Sequence, residues 1–247
     1  RLAQLGPHAQ LPAGEFLWGE PRVESQLGFG MAHHGLDEAP RAHMPPIGPI
    51  LARAGYCVLA IVAWCVGERR ADENAAAKGF LLQGRTLWGM MLSDEMAALD
   101  YLESRREVDR RRIGCFGFSM GSTKAWWLAA LDRRVRVAAG ACGLTTYRAL
   151  IEAQALNRHG IYYYVPGILQ VADVGEIVSL IAPRPFLSLS GEEDEGSPLP
   201  GVRGVHREAG RIYRLLGARR NLVRRLYPAA HEFTGAMLKD TLAWFER

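Results

Sequence analysis

Short apolar runs without regular polar alternation recur along this chain, and helical patterns separate them. The runs lie at residues 28–33, 56–66, 112–118, 135–141, 185–190 and 221–227, and the clearest helical patterns lie at 87–105, 120–131, 202–216 and 233–245. A strand that is apolar on both sides belongs in a parallel sheet whose two faces are covered by helices. The sequence therefore predicts an α/β fold, with a doubly wound, mostly parallel sheet and helices on both faces.

The length of 247 residues suits one domain with a single core, and we expect residues 1–247 to form it. Residues 1–26 are rich in proline and glycine, which predicts a loose segment that runs over the surface. Residues 142–183 interrupt the alternation of strands and helices, and they carry an aromatic stretch.

The composition narrows the classes of partner. Lysine and arginine outnumber aspartate and glutamate by 30 to 26, and the basic residues are scattered apart from short clusters, so we expect no nucleic-acid partner. No apolar window approaches the about 18 residues that a membrane span needs, so no membrane span is predicted.

The four cysteines are Cys57, Cys65, Cys115 and Cys142. They form no CxxC pair, which favours small buried hydrophobic residues over a disulfide framework or a metal site. The oligomeric state stays open, and a cytoplasmic location is favoured slightly over secretion.

A serine stands between two glycines where an apolar run meets a helical pattern, in GFSMG at residues 117–121. A sharp strand-to-helix turn of this kind exposes the serine hydroxyl and keeps bulky side chains away from it. A serine hydroxyl is a poor nucleophile, so it needs a base, a carboxylate that orients the base, and donors for an oxyanion. The pattern predicts Ser119 as a nucleophile, and a serine in a tight glycine turn is the alternative.

The base and the acid are expected downstream, in loops that follow the carboxyl ends of strands. Among seven histidines, His231 follows the last apolar run and precedes the last helical pattern, which is the position that a loop histidine requires. The loop after residues 185–190 carries four consecutive carboxylates at 192–195. We favour Asp194, because it lies far enough past the strand end to turn back toward the histidine. Glu193, Glu195 and the more distant Asp173 remain open as acids.

Two backbone amides are predicted to bind the oxyanion. One belongs to Met120, the residue after the serine, and the other to Leu36, which follows the first apolar run in the sequence His33-His34-Gly35-Leu36. A simple turn at His34 and Gly35 is the alternative.

Several segments together resemble the α/β-hydrolase superfamily. They are GFSMG at 117–121, His34-Gly35, Gly67-Glu68-Arg69, the Ile-Ala-Pro-Arg-Pro stretch at 181–185 that leads to Gly191 and Asp194, and His231-Glu232-Phe233. The likeness runs from about residue 28 onward and is greatest to the dienelactone-hydrolase-like and acetyl xylan esterase-like serine hydrolases. It implies a Ser119–Asp194–His231 triad that acts on esters without a metal or an organic cofactor.

The resemblance has two departures. Dienelactone hydrolases proper use a cysteine nucleophile, so their lactone activity does not carry over. Such families usually begin with an antiparallel hairpin, whereas only about 27 residues precede the first predicted strand here, and a shortened sheet is one explanation.

The resemblance also suggests where substrate binds. Residues 142–183 lie where such folds build a cap or an acyl pocket, and Tyr163 and Tyr164 there suit apolar acyl groups or sugar faces, with plain packing as the alternative. The segment 84–89 looks like a family feature, and Arg85 within it binds either a substrate carboxylate or a structural partner.

The function that the sequence favours is hydrolysis of a small-molecule ester, with short-chain or acetyl esters, including acetylated carbohydrates, as the expected substrates. Two other functions stay open. One is a peptidase of the prolyl-oligopeptidase type, which shares the fold and the order of the triad. The other is a binding protein without turnover on a hydrolase scaffold.

Overall fold

The computed structural model of the protein describes residues 16–18, 28–33 and 45–246. Its strands form one sheet: β1 Phe16–Trp18, β2 Gly28–His33, β3 Cys57–Val62, β4 Ile113–Phe118, β5 Val137–Ala141, β6 Phe186–Gly191 and β7 Leu222–Tyr227. The strand order is β1-β3-β2-β4-β5-β6-β7. β1 pairs antiparallel with β3, and every other pairing is parallel. The predicted α/β class with a mostly parallel sheet is confirmed.

Helices cover both faces of this sheet. They are α1 Ile47–Arg53, α2 Glu73–Leu82, α3 Leu87–Ser104, α4 Met120–Leu131, α5 Tyr147–Glu152, α6 Val174–Ser179, α7 Leu199–Leu215 and α8 Gly235–Phe245. α1 and α8 supply one core cluster, and α3, α4, α6 and α7 supply the other. Within the part of the chain that the structure describes, no helix combines the length and the apolar character needed to cross a membrane.

Strand β4 shows why the apolar runs lack polar alternation. Ile113 and Cys115 belong to the cluster formed with α3 and α4, whereas Phe116 belongs to the cluster formed with α1 and α8. Successive side chains of a strand point to opposite faces, so a strand covered on both sides needs apolar residues at every position.

The structure contains several elements that the sequence analysis did not predict. The segment 1–26, expected to be loose, contains β1, which extends the sheet beyond β3. The short helix α1 and the helix α2 were not predicted. α2 buries only Ala77 and leaves Leu82 exposed. A helix with so little buried surface needs no apolar stripe, and the sequence therefore gives no clear helical pattern there. Residues 142–183 form α5, α6 and three short 3-10 turns between them.

The entry to β6 holds the far end of α4 in place. The Arg184 guanidinium donates hydrogen bonds to the carbonyl oxygens of Ala129, Asp132 and Val135, at 2.5, 2.9 and 2.7 Å. The last carbonyls of a helix have no partner within the helix, and a cation there also interacts favourably with the helix dipole. Arg184 therefore anchors the helix whose other end begins at Ser119.

Candidate active site

Ser119 lies in the turn that joins β4 to α4, in a conformation that few residues with a side chain adopt. Its φ is 56° and its ψ is −118°. The turn is so tight that a Cβ atom on Gly117 would lie 2.0 Å from the carbonyl carbon and oxygen of Gly121. The first glycine of the motif is therefore required by a close approach of backbone to backbone, and the strained turn exposes the serine side chain.

The three side chains predicted as a triad form a continuous hydrogen-bonded chain. The Ser119 Oγ lies 2.7 Å from Nε2 of His231, and Nδ1 of His231 lies 3.0 and 3.1 Å from the two carboxylate oxygens of Asp194. The residues follow β4, β6 and β7, three parallel strands of the sheet, so their loops meet at one edge. The structure thus brings together residues that are 37 and 112 positions apart.

Asp194 is the one buried carboxylate of the acidic loop at 192–195. Burial raises the pKa of a carboxyl group, but hydrogen bonds from His231, from the Gly196 amide and from Ser197 outweigh this effect and lower the pKa of Asp194. The carboxylate is ionised at neutral pH and only accepts hydrogen bonds. The Nδ1 atom of His231 must then donate, which leaves Nε2 to accept the Ser119 proton.

The other acid candidates are directed elsewhere. Glu193 is exposed, and Glu195 forms an ion pair with Arg158. Asp173 caps the N-terminus of α6 through a capping box with Glu176 and accepts a further hydrogen bond from the backbone amide of Tyr147 at 2.7 Å.

The loop that carries His231 packs closely on the end of β6. A Cβ atom on Gly191 would lie 2.3 Å from the carbonyl oxygens of Ala229 and Ala230, so only glycine fits there. The His231 ring lies 5.1 Å from the Phe118 ring, and the histidine side chain is 40% exposed. The imidazole is therefore supported on one side and open to solvent on the other.

One of the two predicted oxyanion donors can be located. Met120 is the first residue of α4, and the first amides of a helix have no carbonyl partner within it. Its N–H lies at the positive end of the helix dipole, directly after Ser119. Leu36, with the His34-Gly35 turn, lies outside the described residues.

Within the described part of the chain, none of the predicted substrate-binding residues shows a direct contact with the triad. Tyr163 is 1% exposed, and its ring packs against those of Trp88 and Tyr147. The Tyr164 hydroxyl donates to the carbonyl oxygen of Leu156. Arg85 is exposed at the turn before α3. Their role in substrate binding stays a prediction.

Cys142 lies beside the triad, which the sequence did not suggest. Its backbone has a positive φ of 51° just past the end of β5, and its thiol lies 3.4 Å from the carbonyl oxygen of Glu232. In the described residues, Cys142, Asp194 and His231 form a group whose ligand atoms lie within 4.8 Å of one another, as a metal site requires. Burial and the charge of Asp194 raise the pKa of Cys142 to about 12, so the thiol beside the triad is protonated and neutral.

The sequence profile of the dienelactone hydrolase family matches residues 33–165, more than half of the chain. The chain belongs to the dienelactone hydrolase family. The predicted resemblance is thereby confirmed. The match includes Ser119 but ends before Asp194 and His231. The assignment of these two residues to the triad therefore depends on the geometry described above.

Two curated relatives match parts of this dienelactone hydrolase family member. YtaP from Bacillus subtilis (strain 168) is 45% identical over 175 residues, which are 70% of this chain and 58% of that protein. The carbohydrate esterase MZ0003 from an unknown prokaryotic organism is 24% identical over 164 residues, 60% of this chain and 37% of that protein. The chain thus spans well under two thirds of the length of either relative.

Solved structures share the fold. A glucuronoyl esterase of carbohydrate esterase family 15 from Caldicellulosiruptor kristjansonii superimposes with a TM-score of 0.70 at 16% identity, over 94% of this chain and 71% of that chain. This likeness supports the α/β-hydrolase architecture.

Proposed function

We propose that this member of the dienelactone hydrolase family is a serine esterase, with Ser119 as nucleophile, His231 as base and Asp194 as the residue that orients the base. The observation that carries the proposal is the unbroken path of hydrogen bonds, 2.7 Å from Ser119 to His231 and 3.0 Å from His231 to Asp194. The first distance is short enough for direct proton transfer from Ser119 to His231. The second is short enough for the Asp194 carboxylate to orient the imidazole.

In the acylation step, Nε2 of His231 takes the Ser119 proton while Oγ attacks the ester carbonyl carbon. The tetrahedral oxyanion is held by the Met120 N–H and by the proposed Leu36 N–H. The imidazolium then gives its proton to the departing alkoxide, and the ester C–O bond breaks to release the alcohol. Asp194 stabilises the imidazolium but keeps its own charge.

In the deacylation step, water takes the place of the alcohol. His231 removes a proton from the water, the hydroxide attacks the acyl-enzyme carbonyl, and the Ser119 oxygen leaves with the proton from His231. The exposed edge of the His231 ring provides a path for this water. The products are the carboxylic acid and the free enzyme.

The proposed substrates are short-chain or acetyl esters, including acetylated carbohydrates. Two similar proteins, a carbohydrate esterase and a glucuronoyl esterase, are described as esterases that act on carbohydrates, which favours a sugar ester over a long-chain lipid ester. Tyr147, Tyr162 and Tyr163 of the insertion at 142–183 are buried in the core, so among its tyrosines only the partly exposed Tyr164 has a face that a sugar ring can reach.

The test compares p-nitrophenyl acetate, butyrate and octanoate as substrates for the wild-type protein and for Ser119→Ala at neutral pH. We expect turnover to be highest with the acetate or the butyrate and to be lost in the variant. A p-nitroanilide of the same acyl group tests the peptidase alternative, which predicts amide cleavage at a rate comparable with the ester. Equal ester hydrolysis in both proteins would exclude Ser119, and absence of turnover with every substrate would favour the binding scaffold.

A further inference from the structure

The loop that carries Asp194 is fixed to β7 on one side. The amides of Glu192 and Glu193 donate to the carbonyl oxygens of Tyr227 and Ala229, at 2.8 and 3.0 Å. These bonds continue the pairing of β6 with β7 beyond the end of the sheet. They hold the start of the loop but do not reach the turn after Asp194.

The insertion at 142–183 holds the other side of this loop. The Nε2 atom of His159 lies 2.8 Å from the carbonyl oxygen of Gly196. A carbonyl oxygen only accepts, so Nε2 of His159 carries a proton and donates it. The neighbouring Arg158 forms an ion pair with Glu195 in the same loop. Two adjacent residues of the insertion thus contact two adjacent residues of the acid loop.

The Gly196 carbonyl belongs to the turn that orients the Asp194 carboxylate. The Gly196 amide donates to Oδ1 of Asp194 at 2.9 Å, and the Ser197 amide donates to the backbone carbonyl of Asp194 at 3.0 Å. The peptide unit between Gly196 and Ser197 therefore accepts from His159 through its carbonyl and donates to the backbone carbonyl of Asp194 through its N–H. The amide of Gly196 in the preceding peptide unit donates to the Asp194 carboxylate. Hydrogen bonds in such a chain polarise and reinforce one another.

His159 is itself held rigidly. Its ring packs on the buried Tyr163 ring, with centroids 4.9 Å apart, and its backbone amide donates to Leu156 at 3.2 Å. Burial lowers the pKa of His159, so the ring is neutral at neutral pH and adds no charge beside Asp194. Its contribution to the acid loop at neutral pH is therefore one directed hydrogen bond.

We propose that His159 is a positioning residue for the esterase reaction, because it fixes the Gly196 turn and so the Asp194 carboxylate against His231. This inference rests on the proposed function of the triad. It gives the insertion a role in catalysis that is separate from substrate binding: the insertion locks the acid of the triad in place.

The test uses two substitutions at one position. His159→Leu fills similar space without a donor, whereas His159→Gln places an amide N–H at a similar distance from the backbone. We expect His159→Leu to lower kcat about 10- to 100-fold with KM little changed, because small displacements of a catalytic group cost rates of this order. We expect His159→Gln to restore most of the loss.

A matched control separates positioning from stability. His206 is also a hydrogen-bonded histidine, with Nε2 2.7 Å from Oγ of Ser188, and it lies on α7, ten residues after Gly196 in the chain. We expect His206→Leu to lower the melting temperature without lowering kcat. All variants are assayed well below the lowest melting temperature.

A second readout needs no substrate. The Nδ1 proton of His231, shared with Asp194, gives a far-downfield proton resonance, which we expect to broaden or vanish in His159→Leu and to persist in His159→Gln and His206→Leu. Wild-type kcat together with an unchanged resonance in His159→Leu would overturn the proposal, and so would equal losses of kcat in His159→Leu and His159→Gln or in His206→Leu. If wild type shows no Ser119-dependent turnover, the proposed function fails, and the resonance alone decides whether His159 positions Asp194.

Discussion

Ser119 has a strained backbone, and the position of its hydroxyl group explains why this conformation is kept. A positive φ at a residue with a side chain costs about 1–3 kcal/mol and persists only where the surrounding structure imposes it. Here the Ser119 amide donates to Ala141 at 2.8 Å, and Gly117 allows Gly121 to approach β4 closely. A serine with only a structural role in a turn would not need its hydroxyl aligned with a histidine at 2.7 Å.

The identity of the acid is tested by changing one atom of one side chain. Asp194→Asn keeps the size of the group but removes the charge, and it favours the wrong tautomer of His231. We expect kcat to fall by about 10⁴-fold, as for the same change in a serine protease triad. The measurement is steady-state hydrolysis of p-nitrophenyl acetate.

The matched control for this change lies in the same loop. Glu193 is exposed, so Glu193→Gln removes a charge of the same sign one residue away without touching the histidine. We expect it to keep the wild-type kcat. A large loss in Glu193→Gln, or wild-type activity in Asp194→Asn, would show that the acid has been assigned to the wrong residue.

At the scale of the elements, α3 and α4 are joined by a buried ion pair. Lys124 on α4 and Glu95 on α3 have side chains that are 2% and 4% exposed, and their charged groups are in direct contact. Removing one partner leaves a buried charge without compensation, whereas replacing both with apolar residues is often neutral or stabilising.

We therefore expect Lys124→Met alone to lower the free energy of unfolding by about 3–5 kcal/mol. The double variant Glu95→Leu/Lys124→Met is expected to recover most of this loss. Urea denaturation of the wild type and the variants measures the free energies. Additive losses in the double variant would contradict the account, because they would mean that each residue stabilises the fold independently of the other.

The hydrogen bond between His206 on α7 and Ser188 on β6 involves a buried histidine, so we expect the free energy of unfolding to depend on pH. Burial, with a smaller contribution from Arg224, lowers the pKa of His206 from 6.5 to about 4. Below pH 6.5 the unfolded chain binds a proton that the folded state resists until pH falls to about 4. The contribution of His206 to stability is therefore full above pH 6.5 and falls as the pH falls toward 4.

We expect this loss to reach about 3 kcal/mol, which follows from 1.36 kcal/mol per pKa unit. The measurement is the free energy of unfolding of wild type and of His206→Gln between pH 4 and 7.5, where the variant lacks the titrating group. The wild type should lose stability relative to the variant across this range. Parallel pH profiles for the two proteins would show that His206 titrates normally in the fold.

At the scale of the whole molecule, the sequence predicted the sheet and the meeting of the triad for one physical reason. Parallel strands place their carboxyl ends at one edge, so residues that follow β4, β6 and β7 must come together there. Chain order and loop position were enough to select Ser119, Asp194 and His231 as candidates, and the structure places them in contact.

Other features depend on partners that local patterns do not encode. The His159 contact with Gly196 and the Lys124 contact with Glu95 join residues far apart in sequence, and each would look like an ordinary polar residue on its own. The short strand β1 and the helix α2 were missed because three residues, and a helix with one buried side chain, carry little periodic signal.

Covalent labelling with a fluorophosphonate, followed by mass spectrometry to find the modified residue, tests whether Ser119 is an activated nucleophile. We predict one adduct, on Ser119, that forms about 10²- to 10⁴-fold more slowly in His231→Ala, because the base is then missing. His206→Gln should label at the wild-type rate. An adduct on a different residue, or no adduct in the folded wild-type protein, would contradict the assignment of Ser119 as an activated nucleophile.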